Sequence, residues 1–327
     1  MSIVQTIRGP VDSSTLGRIL SHEHLTNGMG GMERVPGLLD RDAMIDRSVR
    51  SLARAKAAGI DGIIDLTPLD LGRQVWLFEA VAERTESHVI PATGVYRWIP
   101  PYFFNWDIDE IAAYFVSEIE DGIEGSRIRA GIIKLAWDME YQLHDPAARV
   151  TPRIMLERTA RAAARASKAT GTPISCHTRA IDQLGTPLLD ILSDEGLDLR
   201  AVTIGHSNDT DNLDYLTGML KRGATVGLDR FFGTDEAYVA QRGGIALALV
   251  RAGFADQITL GHDGSPAGLW GRWRTDDTDG CWTLVPNLEV PWMQANGATD
   301  DEIDAVLRGS IRATFEAAAA MAGGAAK

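Results

Sequence analysis

Three residues near the start of the chain, His22-Glu23-His24, carry the first sign of chemistry. They end a short apolar run, Gly17–His24, that reads as a strand. Side chains two apart on a strand share a face, so both imidazoles point one way and Glu23 points the other. Such a pair suits a metal ion, and a hydrogen-bonded structural pair is the other reading. The spacing differs from the helical H-E-x-x-H zinc motif, whose ligands lie one helical turn apart.

Lys134, in Gly131-Ile132-Ile133-Lys134-Leu135-Ala136, stands in the middle of another strand-like run. Lysine is almost never fully buried without a partner. Either the register is off and Lys134 snorkels to water, or the lysine is functional. In the second case desolvation lowers its pKa and leaves a neutral, nucleophilic amine. Such an amine can take up carbon dioxide and become an anionic carbamate able to bridge two cations. Three more residues end strand-like runs: His177 after Pro173-Ile174-Ser175-Cys176, His206 after Val202-Thr203-Ile204-Gly205, and Asp263 after Leu260-Gly261-His262.

The elements that must position these side chains alternate along the whole chain. The strand candidates are Gly17–His24, Ile60–Thr67, His88–Tyr96, Ala130–Ala136, Pro173–Thr178, Ala201–His206, Ala224–Asp229 and Gln257–Asp263. They are short and rich in Ile, Val and Leu with little polar alternation, as parallel strands buried on both faces are. Helical segments fill the gaps. Asp40–Ala58 places Ile45, Val49 and Leu52 on one face and is followed by Gly59. Thr151-Pro152 opens a helix running to Gly171, and Thr299 with Glu302 forms a capping-box signature before Ile303, Val306 and Leu307. Eight βα repeats predict a (β/α)8 TIM barrel, with a doubly wound sheet as the competitor. Five candidate ligands and Lys134 fall at or near the C-terminal ends of strands, where barrel enzymes build their sites. His22 and Asp263 lie on the first and last strands. If they share a metal, only closure of the sheet brings them together.

Composition bounds the remaining classes. The chain has 327 residues, 45% hydrophobic and 24% charged, and no composition break, so one domain over residues 1–327 is expected. Its net charge of -13 argues against nucleic acid as a partner. Two distant cysteines, Cys176 and Cys281, imply no disulfide framework and fit a reducing cytoplasm. No apolar stretch suits a signal peptide in Met1–Pro10 or a membrane span elsewhere.

The combination of Ser21-His22-Glu23-His24-Leu25, Ala92-Thr93-Gly94-Val95-Tyr96, Gly131-Ile132-Ile133-Lys134, Ile204-Gly205-His206, Asp209-Thr210-Asp211-Asn212, Gly227-Leu228-Asp229-Arg230 and His262-Asp263 is specific. From about Gly17 to about Phe315 the sequence resembles the phosphotriesterase family of the amidohydrolase superfamily, most closely its lactonase branch. The resemblance implies two divalent metal ions, zinc first, with Co, Mn or Fe also compatible with such ligands. His22, His24 and Asp263 would hold the inner ion, His177 and His206 the outer one, and carboxylated Lys134 would bridge them with a hydroxide. Tyr96 matches the tyrosine that lies beside the metals in the lactonases, and Arg230 the arginine that hydrogen-bonds near the substrate. The implied reaction is lactone opening by the metal-bridging hydroxide, on an N-acyl-homoserine lactone or another γ/δ-lactone. Asp263 would take the proton, and organophosphate triesters would be side substrates. A primary phosphotriesterase and another ester or amide hydrolase of the family are the alternatives. A homodimer is expected, with Phe103, Phe104 and Trp106 at its interface.

The loop after the last strand carries Trp270, Trp273 and Trp282, and the loop after the third adds Trp98. These aromatics suggest an apolar pocket, with Trp270 and Trp273 against the substrate. Packing of a long loop is the competing reading. His88 and His144 are read as remote from the chemistry, and His262 and Cys176 are expected to face away from the metals.

Overall fold

The computed structural model describes residues 2–138, 152–268 and 281–324. It begins with an antiparallel hairpin, β1 (Ile3–Thr6) and β2 (Gly9–Asp12), that the sequence reading did not contain. Eight parallel strands then form a nearly closed barrel with helices between them: β3 (Ile19–Glu23), β4 (Gly62–Asp65), β5 (His88–Gly94), β6 (Ile132–Trp137), β7 (Ile174–Thr178), β8 (Val202–Gly205), β9 (Thr225–Leu228) and β10 (Ile258–Leu260). Each overlaps one run read from the sequence, and the doubly wound alternative is excluded by the unbroken neighbour order from β3 to β10. The two edges meet at a parallel bridge between Glu23 and Gly264. There the Asp263 amide donates to the His22 carbonyl at 2.9 Å and the His24 amide to the Gly264 carbonyl at 3.0 Å.

Local sequence sets the helix ends. The helix Arg41–Ala57 starts where the Asp40 side chain accepts from the Ala43 amide, and it stops before Gly59, at φ 86°. The helix Pro152–Thr170 runs to Gly171, at φ 71°. Thr299 and Glu302 form the expected capping box, and Asp107 with Glu110 forms another that opens Ile108–Glu120.

Two apolar layers follow from strand alternation. Ile19, Ile64, Ile90 and Ile132 pack inside the barrel, joined by Val4 of the hairpin and by Ile311 and Phe315 of the last helix, Ser310–Gly324. These additions fill the N-terminal end of the barrel. Leu20, Ile63, Val89, Ile133, Cys176, Ile204 and Leu260 pack outward with the helices. Ile19 is inner and Leu20 outer, so strict alternation would turn His22 outward. A register irregularity between Leu20 and Glu23 reverses the parity, and His22 and His24 face inward.

Two expectations are corrected. Phe103 is not a surface residue: it is fully buried, stacked on Trp106 and against Tyr114 and Phe115, because the short 3-10 turn Pro101–Asn105 folds back on the helix Ile108–Glu120. Phe104 is 45% exposed. Trp282 does not line a substrate pocket: it is fully buried and its indole N–H donates to the Gly264 carbonyl at 3.2 Å. His144, Trp270 and Trp273 lie outside the described residues.

The outer layer contains a charged pair that no sequence signal announced. The Arg73 guanidinium, with none of its side chain exposed, donates to both oxygens of Glu118 at 2.9 and 2.5 Å and to the Ala92 carbonyl at 2.9 Å. Thr93 and Tyr114 hydroxyls also donate to Glu118, at 2.6 and 2.9 Å, so the pair ties β5 to the helix behind it. Removing Glu118 leaves the buried Arg73 guanidinium with the part-exposed Glu124 carboxylate, 3.2 Å away, in place of its buried two-oxygen partner. Glu118→Ala should therefore lower unfolding stability by about 3–5 kcal/mol, measured by urea titration of the metal-replete protein.

Candidate metal centre

His22, His24, Lys134, His177, His206 and Asp263 line one cavity of about 420 Å³ at the C-terminal end of the barrel, together with Tyr96, Arg97 and Trp98. The site therefore gathers every predicted ligand. Nitrogen and carboxylate atoms of His22, His24 and Asp263 lie within 4.8 Å of one another. Asp263 Oδ1 is 3.1 Å from His24 Nε2 and 3.6 Å from His22 Nε2, and its Oδ2 is 3.9 Å from His206 Nε2. Lys134 is 1% exposed, with Nζ 2.9 Å from His22 Nε2. The snorkelling alternative is thereby excluded. Burial lowers its pKa to about 8.

The backbone is unusual at two of these positions. His206 at φ 59° and Asp263 at φ 54° are two of the four non-glycine residues with positive φ among the described residues. Ile204 faces outward, so alternation would turn His206 outward too, and the left-handed backbone at His206 aims its ring inward instead; Asp263, three residues past outward-facing Leu260, keeps the inward parity of its strand. Gly205, just before His206, is needed because its neighbours leave no room for a side chain. A Cβ there would fall 2.8 Å from Asp229 Oδ2 and 3.0 Å from the Cys176 carbonyl.

The hydrogen bonds fix which nitrogen of each ring is left to bind. The Asp229 carboxylate lies between two imidazoles, Oδ2 at 2.5 Å from His22 Nδ1 and Oδ1 at 2.8 Å from His206 Nδ1. Its pKa is held far below the usual carboxylate range by those two histidines, so it is ionised and accepts from both. Thr67 gives its hydroxyl hydrogen to the Thr26 carbonyl at 3.0 Å, so it accepts from His24 Nδ1 at 2.9 Å. All three rings thus present a bare Nε2 to the cavity. His177 is reversed: its Nε2 donates to Asp138 Oδ2 at 2.8 Å and Nδ1 carries the lone pair. Burial lowers the pKa of His22 and of His177 to about 3, so both stay neutral. Neutral imidazoles with their second nitrogen tied to a carboxylate or hydroxyl, beside an ionised carboxylate, are the donors a divalent cation requires.

A family model described as "Phosphotriesterase family" matches residues 2–315. The chain belongs to the phosphotriesterase family. An "Aryldialkylphosphatase" of Saccharolobus solfataricus is 32% identical over 93% of this chain and 96% of its own length. A "Phosphotriesterase homology protein" of Mycobacterium tuberculosis is 33% identical over 97% of this chain and 98% of its own length. An "N-acetyltaurine hydrolase" of Rattus norvegicus is 23% identical, covering 93% and 95%. This phosphotriesterase-family chain is a hydrolase, of a family of binuclear metal enzymes, and its His and Asp groups could bind such metals. No described helix is long and apolar enough to cross a membrane.

Residues around the ligands were partly missed by the sequence reading. Asp229 appeared there as the end of a strand run and within a motif, with no role assigned, although it ends its run as Asp263 does. Glu23 faces away from the cavity as expected, but it is not idle. Its Oε1 accepts from the His262 amide at 2.8 Å and from His262 Nδ1 at 2.6 Å, and its Oε2 from the Gly264 amide at 3.2 Å. Asp70 accepts from the amides of Tyr96 and Trp98, at 2.7 and 2.9 Å, and so fixes the turn that carries Tyr96. Burial raises Asp70 to about 7. Cys176 faces the helices, and burial raises its thiol pKa above the ordinary range.

Two outcomes follow. Asp229→Asn should weaken divalent-metal affinity by roughly 10–100-fold, because a carboxylate that orients two ligand rings is lost; a zinc titration of the stripped protein checks this. Metal-free protein should also lose stability on acidification. Free imidazole protonates near pH 6.5, whereas His22 and His177 resist until about 3, so between these values the unfolded chain binds more protons. Stability is present in full above pH 6.5 and falls as the pH drops toward 3, as thermal melts across that range would record.

Proposed function

We propose that this enzyme opens lactones in a binuclear metal site, using His22, His24 and Asp263 for one ion, His177 and His206 for the other, and carboxylated Lys134 between them. Zinc is the ion that best suits neutral imidazoles with carboxylate and carbamate oxygens. When bound, such a pair supplies a water acidic enough to be hydroxide at neutral pH and a Lewis acid for the scissile carbonyl. Burial of Lys134 beside His22 supports the carbamate, since a desolvated lysine is readily neutral and nucleophilic.

The observation that carries the lactone reading is Tyr96. Its ring stands edge-on to His177, centroids 5.0 Å apart at 85°, on the wall of the metal cavity. Burial raises the Tyr96 phenol pKa, so it stays protonated and can donate to a ring oxygen or a leaving alkoxide. Asp263, with its carboxyl held well below the usual range by the surrounding histidines, can receive the proton released in the attack and pass it outward. Arg230 Nε is 3.5 Å from Asp263 Oδ2 and its Nη1 2.6 Å from Asp209, which fixes its guanidinium at the cavity edge. Phosphotriester hydrolysis is the second reading, favoured by similarity to the aryldialkylphosphatase. The donor set suits both, because each transition state gathers negative charge on an oxygen near a cation. We further infer one catalytic domain that works as a homodimer in the cytoplasm.

Zinc-replete enzyme should hydrolyse γ- and δ-lactones faster than paraoxon, assayed with a pH indicator across acyl-chain lengths. Chelation should abolish both activities and added zinc should restore them. Tyr96→Phe should cost lactone turnover at least about tenfold while sparing paraoxon, as expected when one donor to the developing charge is removed. A paraoxon rate above every lactone rate would make phosphotriesters the main substrate.

A further inference from the structure

A second cavity of about 480 Å³ opens beside the metal cavity and shares Tyr96, Arg97 and His177 with it. Its other walls include Arg179, Asp209 and Arg230. Three arginines thus converge from three different strand ends: Arg97 after β5, Arg179 two residues past His177, and Arg230 directly after Asp229. In a chain of net charge -13, this gathering runs against the overall charge.

The carboxylates nearby are already engaged. Asp138, with 5% of its side chain exposed, accepts from His177 and from Arg97 Nη1, the latter at 3.0 Å. Asp209 is divided between Arg230 Nη1 and Arg242 Nη1, at 2.6 and 3.0 Å. Asp182 sits 3.0 Å from Arg179 Nε, and the terminal nitrogens of Arg179 have no hydrogen-bond partner among the described residues. Arg230 Nε is buried and makes no hydrogen bond, its nearest carboxylate oxygen being Asp263 Oδ2 at 3.5 Å. Among the described residues, and Asp263 apart, four guanidiniums and three carboxylates meet here. The side chains of Arg179 and Arg230 are 35% and 28% exposed, so each can reach a ligand in the cavity and is only partly screened by water.

We infer that this second cavity is a subsite for an oxyanion carried by the substrate, with Arg179 and Arg230 as its principal donors. The inference rests on the reading that the adjoining metal cavity is the hydrolytic site. A guanidinium presents paired N–H groups that match the oxygens of a carboxylate or a phosphate. Because Tyr96, Arg97 and His177 border both cavities, one molecule can place its oxyanion at Arg179 and its scissile bond at the metal side. The preferred substrate class is therefore an ester, lactone or amide with an acyl part ending in an oxyanion, rather than one with a plain alkyl chain.

The test compares p-nitrophenyl butyrate with mono-p-nitrophenyl glutarate and with a phosphate-ended ester of matched length, on the zinc-replete enzyme. An anion-ended ester should be favoured in kcat/KM by about tenfold or more, the worth of one charge-assisted hydrogen bond. The two anionic arms decide between carboxylate and phosphate. The advantage should shrink with added salt. It should fall toward parity in Arg179→Gln, mainly through KM, recover in part in Arg179→Lys, and persist in Arg312→Gln, a surface control paired with Glu316. A wild-type ratio at or below one, or a ratio untouched by Arg179→Gln, overturns the subsite while leaving the hydrolase reading intact. Absence of turnover on every ester and lactone would instead count against the lactonase reading. Calorimetric titration with glutarate then still decides the subsite: binding weakened tenfold or more by Arg179→Gln supports it, and equal binding overturns it.

Discussion

Everything at the metal end depends on closure of the sheet between its first and last strands. His24 and Asp263 stand 239 residues apart in the chain, yet His24 Nε2 lies 3.1 Å from Asp263 Oδ1. An open sheet would hold them at opposite edges. Glu23 secures the seam. Its buried carboxylate takes three N–H groups from His262 and Gly264, and His262 Nε2 in turn accepts from the Val285 amide at 2.9 Å. Desolvation acts to raise the Glu23 pKa, while these donors stabilise its charged form. The residue between the two candidate ligand histidines is thus the one that keeps their strand beside the strand that leads to Asp263.

The site is prepared for cations by what lies behind the ligands. Asp229 joins the end of β9 to rings from β3 and from the turn after β8, and Thr67 and Asp138 do the same for His24 and His177. Each contact holds a proton on the nitrogen facing away from the cavity. The nitrogens that remain bare belong to rings lining one cavity with Lys134, whose burial makes the neutral amine accessible. Left-handed backbone at His206 is part of the same arrangement, because it turns that ring inward where strand alternation would not.

The mouth of the cavity around Tyr96 and the arginines is built differently. Tyr96 rides on a turn fixed by Asp70, and the arginines are set by ion pairs with Asp138, Asp182 and Asp209, Arg97 also lying over the rings of Tyr96 and Trp98. The apolar wall anticipated from tryptophans changes accordingly. Trp282 belongs to the core, and among the described lining residues the cavities are dominated by imidazole, guanidinium and carboxylate groups with Tyr96, Trp98 and Leu71.

The sequence by itself determined the eight strands, their order of appearance and the residues that end them. Short runs of β-branched residues buried on both faces have few alternatives, and polar groups at their ends stand out against them. Lys134 was legible for that reason, as a charge in an apolar run. The sequence also predicted the capped helix beginning after Thr299. It did not reveal the roles of Asp229, Asp70 or the Arg73–Glu118 pair. Each of these acts on a residue brought near only by the barrel, and an aspartate at a strand end carries no local mark of the rings it will orient. Nor did periodicity show the bulge that turns His22 inward, since a one-residue irregularity is set by pairing with β4 and not by residue type. Which nitrogens face the cavity, and which arginines meet beside it, were decided by tertiary structure, because both depend on contacts between strand ends that only closure makes neighbours.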